Sequence, residues 1–227
     1  MMSFAHFNQK EKKMILTNLK HIESLGPKIT GVCHIGCGST PPGEEYYKFG
    51  ARNFLWADAD AAQLIKAYEN TRLMKSDTNH EFISGILWNT EEGIEFVIKN
   101  NPDYSGLHSF IHETKGGHKE TVIKKTLTMK EVSKQKIQNI DFDQINFIRI
   151  STNGGEKEII EGFGDIFDVH PIKYIVLHRN LDALSSEFLK AKEMYDEQVK
   201  SVLLEKNFSL TLTGKNAMCE DYVFFRP

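Results

Sequence analysis

A strand, a glycine turn and a helix follow one another near the start of the chain, and no other feature constrains the fold as much. Residues 29–35 are apolar and β-branched, residues 36–38 read Gly-Cys-Gly, and the composition of 41–45 is typical of a helix start. A second strand at 53–57 and a second helix at 60–74 repeat the unit. This alternation of strands and helices predicts a parallel sheet.

The rest of the chain extends this pattern into a three-layer α/β fold. An amphipathic helix precedes the first strand and ends at Gly26-Pro27. Further strands are predicted at 81–87, 94–98 (as the arm of a hairpin), 121–127, 145–150 and 172–177, and further helices at 129–136, 154–162 and 185–206. An antiparallel pair is predicted at 208–213 and 222–225. We therefore expect a mostly parallel seven-stranded sheet between helices, with an antiparallel C-terminal edge strand.

The size and charge of the chain indicate one domain that binds a small molecule. With 227 residues the chain suits a single domain, because smaller pieces would bury too little core. Its 28 Lys and Arg residues nearly balance 31 Asp and Glu residues, so it lacks the basic surface expected of a nucleic-acid-binding protein. We expect a small-molecule partner and no nucleic acid.

Cysteine usage and hydropathy predict a cytoplasmic protein without a membrane segment. The three cysteines, at positions 33, 37 and 219, are too few for a disulfide framework and suit a reducing compartment. Lysines interrupt the apolar residues of the N-terminus, which is unlike a signal peptide, and no other stretch is long and apolar enough to cross a bilayer. We expect neither export nor membrane insertion.

A long segment without periodicity, 100–120, separates two groups of strands. It contains several Asn and Gly residues together with His108, His112 and His118. Loops of this length in a compact domain are often lids or binding segments, so we expect a mobile loop over the pocket. The histidines have no Asp or Cys partners at a metal-ligand spacing, and we expect no metal site.

The carboxyl ends of the first two strands are the expected ligand site, since open parallel sheets bind ligands there. Gly36 and Gly38 let a ligand lie against backbone N–H groups, although a tight turn alone would also require glycine. Asp58 ends the second strand, 20 residues after Gly38, where a carboxylate can accept both hydroxyls of a ribose rather than stand as a plain surface charge. The next acid, Asp60, is better placed as the N-cap of the following helix.

Three segments, in chain order, carry a resemblance to a known family. They are His34-Ile-Gly-Cys-Gly38 with Gly43-Glu-Glu45 and Leu55-Trp-Ala-Asp58, then 93–98 with 100–101 and 105–109, then 145–156 with 159–162. They are similar to the glycine motif and acidic second strand, the central hairpin and serine-rich loop, and the fourth strand and helix of the FkbM family. Members of that family are S-adenosylmethionine (SAM)-dependent methyltransferases that mostly modify hydroxyls of sugars and natural products. The resemblance implies a Rossmann-like class I methyltransferase fold.

The fourth strand departs from the pattern of this family. The family has Lys-Ile-Asp, any residue, Glu or Gln, then Gly-Ala-Glu, where this chain has Arg149, Ser151, Asn153 and Glu156 at the first, third, fifth and last of these positions. A carboxylate at this strand end could take the proton of an acceptor hydroxyl, which a serine cannot do unaided. Arg149 either faces the pocket or pairs with Glu156.

Histidines are the candidate substitutes for the missing carboxylate. His178 follows the predicted strand 172–177, while His108 and His112 belong to the predicted loop. Placement at a strand end favours His178, although a lone histidine is often a hydrogen-bonded structural residue. Alignment of the acceptor oxygen with the methyl group supplies much of the acceleration, so a strong base is helpful rather than obligatory.

The predicted site residues fall into three sets. The cofactor set is His34, Gly36, Cys37, Gly38, Glu45, Asp58, Ala59 and Gly85. The catalytic set is His178, Ser151 and Glu156, and the substrate set is Asn153, His108 and His112. Two members have an alternative role, because Glu45 and Glu156 also lie in the first turns of predicted helices, where a carboxylate is favourable. His34 stands where many methyltransferases have an acid.

These observations predict a SAM-dependent O-methyltransferase that acts on a small-molecule hydroxyl acceptor such as a glycan. One alternative is a catalytically degenerate cofactor- or sugar-binding module, which Ser151 and Asn153 indicate. The other is an NAD-dependent oxidoreductase. That alternative lacks the third glycine of G-x-G-x-x-G, because Pro41 occupies its position.

Overall fold

The protein alternates strands and helices along most of its length. The computed structural model describes residues 4–39, 41–72, 74, 76–90, 93–100, 106–107, 111, 117–134, 140–216 and 219–227. In chain order the strands are β1 (Gly31–Ile35), β2 (Asn53–Asp58), β3 (Asn79–Ser84), β4 (Ile86–Leu87), β5 (Gly93–Lys99), β6 (Gly106–Leu107), β7 (His118–Leu127), β8 (Phe147–Ile150), β9 (Tyr174–Asn180), β10 (Ser209–Lys215) and β11 (Cys219–Phe225). The helices are α1 (Phe4–Leu25), α2 (Gly43–Lys48), α3 (Ala61–Thr71), α4 (Met129–Lys134), α5 (Glu156–Phe163), α6 (Ile166–Val169) and α7 (Ser186–Glu205). None of the helices in these ranges is long and apolar enough to span a bilayer.

Seven of the strands form one mostly parallel sheet, in the order β10-β11-β9-β8-β1-β2-β3. Ile35 of β1 lies beside Ala57 of β2 and Ile150 of β8, and Ile150 lies beside Leu177 of β9. The four carboxyl ends are therefore level at one edge of the sheet. The order of the chain reverses between β1 and β8, and open α/β sheets bind ligands at such a reversal.

The two faces of this sheet bury separate apolar clusters, because side chains alternate along each strand. On one face, Val32 of β1 belongs to a cluster with Leu19 of α1 and Tyr46 of α2. On the other face, Ile35 of β1 belongs to a cluster with Val199 of α7 and side chains of α5. We call these the α1 face and the α7 face. Helices on both faces give the three layers that the sequence predicts.

The strand predicted at 81–87 is divided between two sheets. Ser84 of β3 pairs with β2 in the main sheet, whereas Ile86 of β4 pairs with Thr126 of β7. Strand β4 belongs to a second, four-stranded sheet with the order β4-β7-β5-β6. In that sheet β7 lies between β4 and β5 and pairs antiparallel with β5, so 94–98 does not form a hairpin with the strand before it across residues 90–93. The spacing of apolar residues does not indicate which sheet a strand joins. For this reason the sequence predicted neither the division of 81–87 nor the strand that pairs with 94–98.

The C-terminal strands close one edge of the main sheet with one change from the prediction. Strand β11 is antiparallel to β9, and β10 is antiparallel to β11. The edge strand β10 therefore runs parallel to the central strands, and the reversed strand β11 lies second from the edge. The sequence indicates an antiparallel pair but not which of its members is inserted beside β9.

Two helix starts are fixed by local chemistry. The side chain of Asp60 accepts a hydrogen bond of 2.9 Å from the backbone N–H of Ala62, which confirms its prediction as the N-cap of α3. Helix α5 begins at Glu156, later than the predicted residue 154. The delay arises because Gly154 and Gly155 have φ angles of 111° and 78°, outside the range of a right-handed helix.

The predicted loop 100–120 lies largely outside the described residues. Within it, β6 pairs antiparallel with β5, and Ile111 forms an isolated bridge with Leu184. The last residues of the segment belong to β7. His108 and His112 are outside the described residues, so a mobile loop over the pocket stays a prediction.

Candidate functional site

A cavity of about 210 Å³ opens at the carboxyl edge of the main sheet. One water molecule needs about 10–15 Å³ of such space, so the cavity suits a ligand of many atoms. Its lining includes four polar or glycine positions at the ends of the central strands: Gly36, Asp58, Ser151 and His178. Apolar side chains in and beside the second sheet also line it: Ile86, Trp88 and Phe96. The cavity thus combines groups that can orient a ligand with surface that can bury it.

The two glycines of the turn after β1 have different roles. Gly36 has a φ of 70°, and a Cβ atom there would lie 2.3 Å from the backbone oxygen of Ser151. It is therefore required for the close approach of the segments that follow β1 and β8. Gly38 has a φ of 62°, yet a Cβ atom there would have no atom within 4 Å. Gly36 therefore fits the interpretation that a tight turn requires glycine. Gly38 fits the interpretation that glycine leaves space for a ligand.

The backbone N–H groups of this turn are already used inside the protein. Those of Gly36 and Cys37 donate to the backbone oxygen of Ala57, at 2.8 and 3.1 Å. That of Gly38 donates to Oδ2 of Asp58 at 2.8 Å. The expectation that a ligand lies against free amides is therefore wrong for these three groups, because the turn folds back over the end of β2.

Asp58 lines the cavity at the end of β2. Its Oδ1 accepts from the backbone N–H of Asp60 and its Oδ2 from that of Gly38, each at 2.8 Å. Burial raises the pKa of Asp58 to about 6, although the two backbone hydrogen bonds act in the opposite direction. A carboxylate has about four acceptor positions, so Asp58 can still accept from two further hydroxyls.

His34 and Ser151 line the cavity and form a hydrogen-bonded cluster with Arg149. Nε2 of His34 lies 3.2 Å from Oγ of Ser151, and Nε of Arg149 donates to the same oxygen at 3.1 Å. Burial lowers the pKa of His34 well below its usual value, and the charges of Arg149 and His178 add to this effect. Neutral His34 and Ser151 therefore stand where many methyltransferases carry acids. Arg149 contacts Ser151 but does not itself line the cavity, and Glu156 pairs with Arg179, so neither of the two alternatives for Arg149 is met.

His178 lines the cavity, and a buried carboxylate holds its ring. Its Nδ1 lies 2.6 Å from Oδ1 of Asp221, a residue with 0% of its surface exposed. The two residues face each other across the pair of β9 and β11. Asp221 is absent from the predicted site, because the register of an antiparallel pair decides which acid meets His178.

Glu156, a predicted catalytic residue, lies outside the cavity. It is fully buried among charges on the α7 face, where its Oε1 is 3.1 Å from Nε of Arg179 and its Oε2 accepts from Nη2 at 3.2 Å. Its Oε1 also accepts from the backbone N–H of Gly154 at 3.1 Å. This placement corrects the catalytic assignment and agrees with the alternative role at the start of α5.

Glu45, a predicted cofactor residue, does not line the cavity either. It is buried in the first turn of α2, and its Oε1 lies 2.7 Å from Nζ of Lys12 in α1. The side chain thus joins the first two helices. Its contacts favour the helix-start alternative over a contact with the cofactor.

Other predicted residues do reach the cavity, namely Cys37, Ala59, Gly85 and Asn153. Asn153 has a φ of 53°, and its Oδ1 accepts from the backbone N–H of Asn180 at 3.1 Å. Asn180 also lines the cavity and was not predicted, although its position two residues after His178 on one strand end was a usable signal.

Within the part of the chain that the structure describes, no group of three or more His, Cys, Asp or Glu side chains could hold a metal ion.

No protein-family model matches the sequence, and no curated protein matches it. In fold, the chain is similar to magnesium protoporphyrin IX methyltransferase from Synechocystis PCC 6803. The structure of that protein with bound SAH has a TM-score of 0.52 and 11% identity, covering 100% of this chain and 89% of that chain. Its structure with bound SAM has a TM-score of 0.51 and 10% identity, covering 100% of this chain and 86% of that chain. The likeness, together with the seven-stranded sheet, confirms the predicted Rossmann-like methyltransferase fold.

Proposed function

We propose that this chain is a SAM-dependent methyltransferase that transfers a methyl group to a hydroxyl of a small molecule. The observation that carries the proposal is the carboxylate of Asp58 at the end of β2, which lines the cavity beside the open position at Gly38. The fold likeness to a methyltransferase whose structures hold SAM and SAH supports it. The resemblance to the FkbM family supports the finer proposal of a glycan or similar hydroxyl acceptor, for a single cytoplasmic domain of residues 1–227.

The residues of the cavity fit this cofactor. Asp58 would accept hydrogen bonds from the ribose hydroxyls, because its oxygens keep acceptor positions beyond the two backbone bonds. The space beside Gly38 is empty, because a Cβ atom built there has no atom within 4 Å, and part of the cofactor could occupy it. Ile86 and Leu87 line the cavity and would pack against an aromatic base. No metal is required for this arrangement.

His178 is the residue placed to take a proton from the acceptor. When bound, SAM supplies a methyl group on a positively charged sulfur. The acceptor hydroxyl loses its proton as its oxygen is methylated, and His178 would receive that proton and hold it as an imidazolium. Ser151 does not replace the missing carboxylate, since its Oγ accepts from Arg149 and contacts His34.

Two measurements test the proposed function. Calorimetric titration is expected to show binding of SAM and of its demethylated product, S-adenosylhomocysteine, with no binding of NAD. Binding of NAD alone would favour the oxidoreductase and overturn the proposal. Methyl-labelled SAM is then incubated with a panel of hydroxyl compounds that includes glycans. Binding of SAM without transfer to any acceptor would favour the degenerate binding module.

Substitution of the base tests the assignment of His178. For His178→Gln we expect about 100-fold to 10,000-fold less labelled product, which is the usual contribution of a positioned acid or base. Affinity for SAM should be unchanged, because the proposed cofactor contacts lie at the ends of β1 and β2 and in β4, and His178 belongs to β9. An unchanged transfer rate in a folded variant would remove His178 from the mechanism.

The pH dependence of cofactor binding follows from the raised pKa of Asp58, about 6. The ionised carboxylate accepts from hydroxyls, whereas the protonated form has lost acceptor capacity. Affinity for SAM should therefore be constant above pH 7 and fall as the pH decreases through about 6, approaching tenfold per unit well below it. Titrations at pH 8, 7, 6 and 5 measure this. An affinity that stays constant down to pH 5 would contradict the assignment.

A further inference from the structure

The ring of His178 is fixed by a chain of contacts that joins three separate elements. Asp221 of β11 is fully buried, and its Oδ1 lies 2.6 Å from Nδ1 of His178 on β9. Its other oxygen, Oδ2, accepts from Nδ2 of Asn18 of α1 at 2.5 Å. Asn18 is itself buried, with 3% of its surface exposed. The carboxylate thus has a donor at each oxygen and cannot rotate without losing both bonds.

This arrangement determines which nitrogen of His178 carries the proton. Burial alone would raise the pKa of Asp221, but the hydrogen bond from His178 and the nearby charge of Arg149 outweigh burial and lower it. An ionised carboxylate only accepts hydrogen bonds, so the Nδ1 of His178 must be the donor. In the neutral ring the basic nitrogen is then Nε2. His178 lines the cavity, so a ring with this proton arrangement belongs to the proposed site.

The acid that contacts His178 belongs to β11, and the arginine that acts on this acid belongs to β8. The positive charge of Arg149 on β8 acts on both Asp221 and His34. A carboxylate at position 151 would lie against Arg149, but Ser151 is neutral. Asp221 is the acid that acts on this cluster from β11, and His34 of β1 is held neutral by burial. Strands β11 and β8 are the two neighbours of β9 in the sheet. The negative charge of Asp221 therefore lies on one side of β9, and Ser151 follows the strand on the other side.

We propose that Asp221 is the positioning residue of the site, which holds the Nδ1–H form of His178 and stabilises the imidazolium that forms when Nε2 takes a proton. The catalytic use of His178 rests on the proposed function. The form of its ring does not, because it is a property of the protein without cofactor or acceptor. An experiment that contradicts the ring form of His178 can therefore be distinguished from one that contradicts the proposed methyl transfer.

Nuclear magnetic resonance of ¹⁵N-labelled histidine rings tests this proposal on the full chain. The chain has nine histidines, and His178→Gln identifies the signals of His178. In the wild-type protein we expect the neutral ring to carry its proton on Nδ1. In Asp221→Asn the amide can donate to Nδ1 as well as accept from it, so the fraction of neutral rings that carry the proton on Nδ1 should fall.

Asp60→Asn is the matched control, because it makes the same acid-to-amide change at the cavity and asparagine retains the N-cap. It should leave the ring form of His178 as in the wild type. A wild-type ring protonated on Nε2 overturns the proposal, and this measurement needs no variant to fold. An unchanged fraction of the Nδ1–H form in folded Asp221→Asn overturns it as well.

Discussion

Affinity for SAM is expected to fall about 100-fold in Asp58→Asn, which corresponds to about 2.7 kcal/mol. The carboxylate offers acceptors to two ribose hydroxyls while it binds the N–H groups of Gly38 and Asp60. Asparagine keeps the shape but replaces one oxygen by an NH₂ group, which cannot accept. Hydrogen bonds to a charged group contribute about 1.5–3 kcal/mol each. Loss of the hydrogen bond from one ribose hydroxyl and weakening of that from the second accounts for the expected change. Calorimetric titration with SAM at pH 7.5 measures it.

The control for this substitution is Asp60→Asn. Asp60 also lines the cavity, but its side chain is already used to cap α3, and asparagine caps a helix equally well. Affinity for SAM should stay within about twofold of the wild type. Thermal unfolding of both variants shows whether either has lost its fold. Equal affinities in the two folded variants would contradict the ribose contact at Asp58, on which the proposed function depends.

Parallel topology explains why several site residues could be located from the sequence. Once alternating strands and helices indicate a parallel sheet, the residues that follow the strands must emerge at one edge. Asp58 and His178 were both predicted on this ground, and both line the cavity. Only the approximate ends of the strands have to be known. Strand β2 ends at Asp58 and β9 at Asn180, one and three residues after the predicted ends at 57 and 177. Neither the sheet order nor the pairing register is required.

The sequence could not predict contacts that depend on sheet faces or on pairing register. Glu156 belongs to a motif at a strand end, yet its side chain turns to the α7 face and meets Arg179. Asp221 meets His178 only because β11 is inserted beside β9 in one particular register. Similarly, the N–H group of Gly38 is taken by Asp58, a bond between two predicted site residues. Each outcome is set by a tertiary contact that no local pattern records.

Arg179, the residue after His178, lies in a different environment, and its removal should strongly reduce the stability of the fold. Arg179 is 1% exposed on the α7 face, where its guanidinium bonds Asp196 and Glu156 and lies 3.4 Å from Glu220. Lys192 also lies near this group, 2.8 Å from Glu220. For Arg179→Met we expect the free energy of unfolding to fall by about 3–5 kcal/mol, because buried carboxylates lose their main counter-charge.

Urea unfolding at pH 7 measures this change, and Lys200→Met is its control on the same helix that carries Asp196. Lys200 pairs with Glu197, whose side chain is 72% exposed, so its loss should change stability by less than about 0.5 kcal/mol. The deficit of Arg179→Met should shrink as the pH is lowered towards 4, because the carboxylates left without Arg179 then take up protons in the folded state. A deficit independent of pH would assign the effect to lost packing instead of charge. Affinity for SAM should survive in the folded fraction, since Arg179 does not line the cavity.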